Sequence, residues 1–331
     1  HRMSRLSFAR PLVVVVALCL LSSFLLAQRG GPAAAPADSS KPLVAISGYW
    51  RLHYTLAPAL TRDDNKQLAE LKMPDTTPPP PAKWTDADFD DAAWPLLPGA
   101  PFPNIRSTWA QVSSAQAAFA DLAQVGACLS QLSMRAAFEV TDPAAVKELT
   151  LDLSYRGGVI VYLNGKEVAR EHIISGPGGL PIGEDYPAEV FRKADGSLLN
   201  SDRGEKDSES KRRWGLQIRK LQKLAVPSNL LGKGRNVLAV EVHRAPYPKD
   251  VVDEINANKN AAQRLTTLII TCGLLDCRLA AADAPGVLSN AARAPGLRLW
   301  NSDLLREESA ADFPAAGQAL RPVRIVARSE E

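Results

Sequence analysis

Apolar and polar residues alternate strictly over residues 147–155. Leu149, Leu151, Leu153 and Tyr155 fall on one side, and Glu148, Thr150, Asp152 and Ser154 on the other. A period of two residues marks a strand with one face buried. Directly after it, GVIVYL (158–163) and KEVAR (166–170) flank Asn164-Gly165. Asn-Gly supplies the positive φ angles of a type I′ turn, whose twist matches that of paired strands. The pattern predicts a hairpin, with 147–155 and 158–170 adjacent in one antiparallel sheet. Val159, Val161 and Leu163 share one face of the first arm, and Ile160 and Tyr162 the other. Two apolar faces predict an interior strand, with the core on one side and insertions over the other.

Further strands are expected at RAAFEV (135–140), GLQIRKLQKLAV (215–226), NVLAVEVHRA (236–245) and RLTTLIITC (264–272). No helices alternate with them, so the fold class is all-β, an antiparallel β-sandwich with helical and loop insertions. TRDDNKQLAELK (61–72) predicts a short helix capped by Thr61, with Asp64 at its third position. The Ala-rich stretch 113–126 predicts another, ending at Gly126. Residues 75–84, with four consecutive prolines, read as a stiff extended segment, and 193–213 as a long polar loop.

The N-terminus has a different pattern. Met3 reads as the start, Arg5 and Arg10 form a basic region, and PLVVVVALCLLSSFLLA (11–27) is apolar and ends in a small residue. This is the pattern of a signal peptide over 1–27, cleaved after Ala27; an uncleaved anchor is the alternative. Either way the body is expected to be exported, secreted or periplasmic, and to touch a membrane only through this segment. Residues 28–44 read as a flexible linker. Cys128, Cys272 and Cys277 remain in the body. Cys272 and Cys277 have a spacing that a hairpin could bridge, and buried thiols with one disulfide is the reading that fits export.

Composition narrows the function classes. The 331 residues carry a formal net charge of +3, with 46% apolar and 23% charged residues. That is a globular balance with no field for nucleic acid or an anionic surface. Aromatic residues are scarce at 6%, which makes each tryptophan informative, and 25 prolines with 21 glycines suit loops and short strands.

Four stretches together resemble the galactose-binding-like β-sandwich, a jelly roll, as found in the sugar-binding domain of family-two glycoside hydrolases. They are WTDADFDDAAWPLLPG (84–99), residues 134–170, VPSNLLGKGRNVLAVEVHRAP (226–246) and CGLLDCRLAA (272–281). The resemblance implies one sandwich over 45–282. It implies that 283–331 is a linker and the start of a second, truncated β domain, so that the chain is the N-terminal part of a larger secreted protein of glycoside-hydrolase type. Many relatives carry Asp-Asp-Gly where this chain has Tyr155-Arg156-Gly157-Gly158.

Candidate chemistry is sparse. Glycoside hydrolysis normally needs two carboxylates flanking a bond. Asp90, Asp91, Asp152 and Glu241 qualify by residue type alone, with a solvated strand face as the bland reading for Asp152 and Glu241. Asp86, Asp88, Asp90 and Asp91 suit a structural calcium by type, although turn formation explains them equally. No nucleophile motif or phosphate loop appears, and no other cofactor is implied. The basic run at 211–223 reads as a solvated loop and strand edge. Sugar recognition uses aromatic faces and long polar side chains, which nominates Trp109, Arg156, Tyr186, Trp214 and Arg244, with Tyr247 as a further loop aromatic. The expected function is a non-catalytic, carbohydrate-associated module in front of the chain's own downstream domains, where any glycosidase activity would lie beyond residue 331. The alternative is a spacer or protein-interaction domain without a sugar site.

Overall fold

A computed structural model of the chain describes residues 40–70, 76–98, 128–198, 212–213, 215–257 and 271–291. In chain order the strands are β1 (Lys41–Ala45), β2 (Tyr49–Leu56), β3 (Leu60–Arg62), β4 (Leu68–Glu70), β5 (Leu96–Pro98), β6 (Leu129–Val140), β7 (Thr150–Arg156), β8 (Gly158–Leu163), β9 (Lys166–Glu171), β10 (Ile173–Ser175), β11 (Pro181–Gly183), β12 (Arg219–Ala225), β13 (Gly234–His243), β14 (Tyr247–Pro248), β15 (Gly273–Ala281) and β16 (Val287–Leu288). An α-helix, α1 (Lys249–Ala257), follows β14.

The large sheet runs β5-β2-β6-β13-β8-β9, with β16 also on β6; the small sheet runs β1-β15-β7-β12. All pairings in both sheets are antiparallel. Leu52, Met134, Phe138, Val161 and Val240 of the large sheet meet Leu43, Leu151, Leu153, Leu274 and Leu279 of the small one in one buried core. This is an antiparallel β-sandwich. The outer edges are blunted in the usual manner: β9 is short and charged (KEVARE), and β12 carries lysines and a register shift between Leu221 and Leu224.

Strand β8 is interior, between β13 and β9. Val159, Val161 and Leu163 enter the core, while Tyr162 packs outward against Trp84, with ring centroids 6.4 Å apart. The hairpin turn has Asn164 at φ 51° and Gly165 at φ 80°, as type I′ geometry requires. Strand β7, however, does not adjoin this hairpin. It belongs to the small sheet, between β15 and β12, and β8 to the large one. The cause is Gly157, at φ 89°, where the chain leaves one sheet and enters the other. A Cβ there would collide with the carbonyl oxygens of His243 and Thr271, so only glycine makes this crossing.

Other expectations shift as well. The helix expected at 61–72 is instead the hairpin of β3 and β4. The Asp63 carboxylate accepts from the Gln67 amide at 2.8 Å, Lys66 takes φ 64°, and β3 gains a parallel partner in β14. Tertiary pairing and a side-chain-closed turn override a weak helical pattern. Strand β1 overlaps the end of the stretch expected to be linker and is paired with β15. Beyond residue 282, β16 pairs with β6, and Asn290 accepts from the Ala45 amide at 2.9 Å and donates to the Ala45 carbonyl at 2.9 Å. Of the segment 264–272, Thr271 and Cys272 are described and are not strand; the strand begins at Gly273.

Cys128, Cys272 and Cys277 are free, buried thiols. Cys277 lies on β15 and Cys272 just before it, so they do not sit on two arms of a hairpin. Four residues of extended chain lie between them, a span of roughly 16 Å, far beyond disulfide reach. The Cys272 thiol, which donates to the Val242 carbonyl, is pushed up to about 12 by burial, and burial raises Cys277 too. Both are inert in this state. The leader, the stretch 113–126 and the residues after 291 lie outside the described residues.

Candidate functional site

The crossing at Gly157 builds a corner of the sandwich. Tyr155, the last core residue of β7, is fully buried and its hydroxyl is hydrogen-bonded to His172 Nδ1 at 2.8 Å. The freed backbone amide of Gly157 donates to the Tyr186 hydroxyl at 2.8 Å, and that hydroxyl donates to the Gln217 carbonyl at 2.9 Å. Arg219 closes the corner. Its guanidinium stacks 4.2 Å from the Tyr186 ring centroid and donates to the carbonyls of Gly157 (2.9 Å), Glu184 (2.9 Å) and Asp185 (3.0 Å). Arginine's planar fork suits this combination of stacking and several donations.

Arg244 enters the same corner from the end of β13. It is 5% exposed and donates from Nη1 to the Ala57 carbonyl at 2.9 Å, while its own carbonyl accepts from the Gly183 amide at 2.7 Å. Tyr247 is 1% exposed and packs in a small second core with Phe191, Val190 and Val251. Arg156 is partly buried and its side chain is bonded to no described residue; its Nε is buried with no partner among them. Burial holds its pKa below the ordinary arginine value, against the opposing influence of Tyr186 and Tyr247, and burial does the same for Arg244. The corner thus carries three guanidiniums, two of them tied by carbonyls and one untied.

A second polar cluster lies on the outer face of the large sheet. Arg51 of β2 stands directly opposite Arg135 of β6, and Arg235 comes from β13. The segment 84–94 folds over them, with Trp84 and Trp94 packed on Val237 and Ala239. Asp91 sits among the three arginines, 3% exposed. Its Oδ2 accepts from Arg135 Nε at 2.7 Å and Arg235 Nη2 at 3.3 Å, and Arg51 Nε is 3.9 Å from Oδ1. Arg135 also donates to the carbonyls of Trp84, Asp86 and Phe89, and Arg51 to that of Trp94. Burial alone would raise the Asp91 pKa; the guanidiniums outweigh it and hold the carboxyl below its ordinary value.

No family model matches the chain, and no curated protein matches it. Solved structures are similar in part. A β-glucuronidase from Bacteroides uniformis aligns over 73% of this chain and 18% of its own, at 14% identity and a TM-score of 0.32. A glycosyl hydrolase family 2 member from Bacteroides cellulosilyticus aligns over 74% and 21%, at 12% identity and a TM-score of 0.29. A β-glycosidase from Bacteroides vulgatus aligns over 60% and 16%, at 13% identity and a TM-score of 0.24. The chain therefore spans about a fifth of the length of these proteins or less. At such scores no residue role passes from them to this chain.

Among the nominated residues, Arg156, Tyr186 and Arg244 come together at the corner, while Trp109 and Trp214 lie outside the described residues. Tyr186, 6% exposed, and Tyr247 offer no open ring face. The carboxylates are dispersed. Asp91 is held by arginines, Asp90 accepts from the Ala92 amide at 3.1 Å in a turn, and Asp152 accepts from the Lys223 amide at 2.9 Å. Glu241 is not on a solvated face: it is 9% exposed, 2.6 Å from His243 Nε2, and accepts from the Tyr162 hydroxyl at 3.3 Å. Its face of the sheet is covered, which alternation alone does not reveal. Among the described residues no group of three or more His, Cys, Asp or Glu is placed to hold a metal. Sequence reasoning missed Arg219, Arg51, Arg135 and Arg235. Arginine at an apolar or alternating strand position was the available signal for the last three.

Proposed function

We propose that this chain is a non-catalytic, exported β-sandwich module associated with carbohydrate, carried at the front of a larger glycoside-hydrolase-type protein. The observation that supports a binding role is Arg156. It stands at the sandwich corner beside Tyr186 and Arg244, with a guanidinium that no described residue bonds. Loops at strand ends are where a rigid sheet presents ligand contacts. A guanidinium there donates paired hydrogen bonds to vicinal hydroxyls or to a sugar carboxylate.

The test is a glycan array followed by calorimetry with the full chain. The native protein should bind at least one glycan class, and Arg156→Ala should weaken that binding about tenfold or more with an unchanged near-ultraviolet dichroism spectrum. Absence of binding by the native chain would instead favour a spacer domain. That second reading has its own support: the corner residues Tyr186, Arg219 and Arg244 are all committed to internal bonds.

A further inference from the structure

The Asp91 cluster borders a small hollow at the rim of β2, β5 and β6. Tyr49, Arg51, Asp91, Arg135, Arg235 and Asn290 line it, and it measures about 10 Å³, the space of a single water-sized sphere. Its lining holds three guanidiniums and one carboxylate, so positive charge exceeds negative by two. The side chains of Arg135 and Arg235 are 1% and 7% exposed. The Asp91 carboxylate receives two of the three arginines on one oxygen, Oδ2. Arg235 keeps a buried Nε–H with no partner among the described residues. The other acidic groups nearby are Glu139, cross-strand from Arg235, and Asp86, whose charge Arg135 also feels; neither lines the hollow.

Buried charge is stable only when it is paired, and a donor left unbonded at this depth carries its full desolvation cost. From this geometry we infer that the hollow is a binding site for a halide-sized monatomic anion, chloride in solution, held between Arg235, Arg51 and Arg135. The chemistry fits on three counts. The charge excess asks for an anion. The size, about one water-sized sphere, suits a monatomic ion. Arg235, which lines the hollow, has an Nε–H with no partner among the described residues, and the site is independent of the sandwich corner. Tyr49, 37% exposed, is among the residues that line it.

Thermal melting of the full chain tests this in sodium chloride against sodium methanesulfonate at matched ionic strength. Chloride should raise the melting temperature saturably, by about 2–4 °C at a few times its dissociation constant, whereas the larger methanesulfonate should not. Arg235→Gln should abolish the chloride increment, and Arg235→Lys should retain part of it. Equal melting in the two salts, or an unchanged chloride increment in Arg235→Gln, would overturn the assignment. If Arg235→Gln fails to fold, crystals of the native chain grown in bromide decide the matter. An anomalous peak among the three guanidiniums supports the site, and its absence removes it. An increment from acetate equal to that from chloride, with no bromide peak, would assign the arginines to a carboxylate and refute the halide.

Discussion

On the outer face of the large sheet, Arg135 is 1% exposed and meets a carboxylate at 2.7 Å; at the sandwich corner, Arg244 is 5% exposed and meets the Ala57 carbonyl at 2.9 Å. Both clusters bury several guanidiniums against backbone and aromatic rings. The first has Asp91 at its centre and fastens a covering segment, 84–94, to the sheet. The second has no carboxylate hydrogen-bonded to Arg156, Arg219 or Arg244 among the described residues, and depends on phenols and carbonyls. The lesson concerns what each can spare. A cluster with an internal counter-ion is fastened by it and loses structure when it is removed. A cluster held by carbonyls and phenols leaves one guanidinium, that of Arg156, bonded to no described residue.

The largest effect should follow from breaking the outer cluster. Asp91→Asn leaves Arg51, Arg135 and Arg235 facing one another, and should cost about 3–5 kcal/mol of stability. It should also loosen 84–94, seen as a red shift in the emission of Trp84 and Trp94 measured in parallel with urea unfolding. A loss below about 1 kcal/mol would mean that the cluster behaves as a surface ion pair. The same cluster sets an acid limit. The Asp91 carboxyl titrates below its ordinary value when folded, so the unfolded chain binds that proton at a higher pH than the native one. Its contribution is complete above the unfolded carboxyl value, about 4, and is lost as pH falls through the lower folded value. Acid unfolding of Asp91→Asn should therefore show a shallower dependence on pH below about 4.

These clusters also mark the limits of what the chain discloses. The β8–β9 hairpin was legible because Asn164-Gly165 and the flanking alternation act locally, and β8 was legible as interior because both faces are apolar. The pairing of β7 was not. A strand followed within two residues by another reads as a hairpin, and nothing local says that Gly157 turns the chain out of one sheet into the other. That requirement comes from the His243 and Thr271 carbonyls, far away in sequence. The Trp-Asp-rich stretch announced itself, but its partner Arg135 looked like an ordinary strand residue. At the corner, Arg156 and Arg244 could be named from their positions after strands. Arg219 was hidden within a basic run that reads as solvated.

A middle-sized effect should come from the corner's hydrogen-bonded phenol. Tyr186→Phe keeps the ring under Arg219 and removes only the hydroxyl, leaving the Gly157 amide and the Gln217 carbonyl without their partner. Two buried backbone groups lose one bond each, and the cost should be about 1–3 kcal/mol in urea unfolding. Native-state hydrogen exchange should localise the loss, with the Gly157 amide exchanging faster while the amides of β6 stay protected. Global acceleration instead would place the corner inside the main cooperative unit and erase the contrast with the outer face.

The smallest effect on stability should come from Arg156, and it is the sharpest test of the contrast. Its guanidinium is partly buried and bonded to no described residue, so the folded state carries a desolvation cost that no hydrogen bond offsets. Arg156→Met retains a long apolar stem of similar shape and removes the charge. Stability should stay within about 1 kcal/mol of the native chain, or rise by that amount. If the corner binds sugar, the same substitution should reduce glycan affinity about tenfold or more, because a charged donor to a hydroxyl or carboxylate contributes about 1.5–3 kcal/mol. Those two readings move in opposite directions only for a residue whose role is contact rather than support. A stability loss approaching that of Asp91→Asn would show that Arg156 is fastened to something essential, and the two arginine clusters would then be built on the same principle.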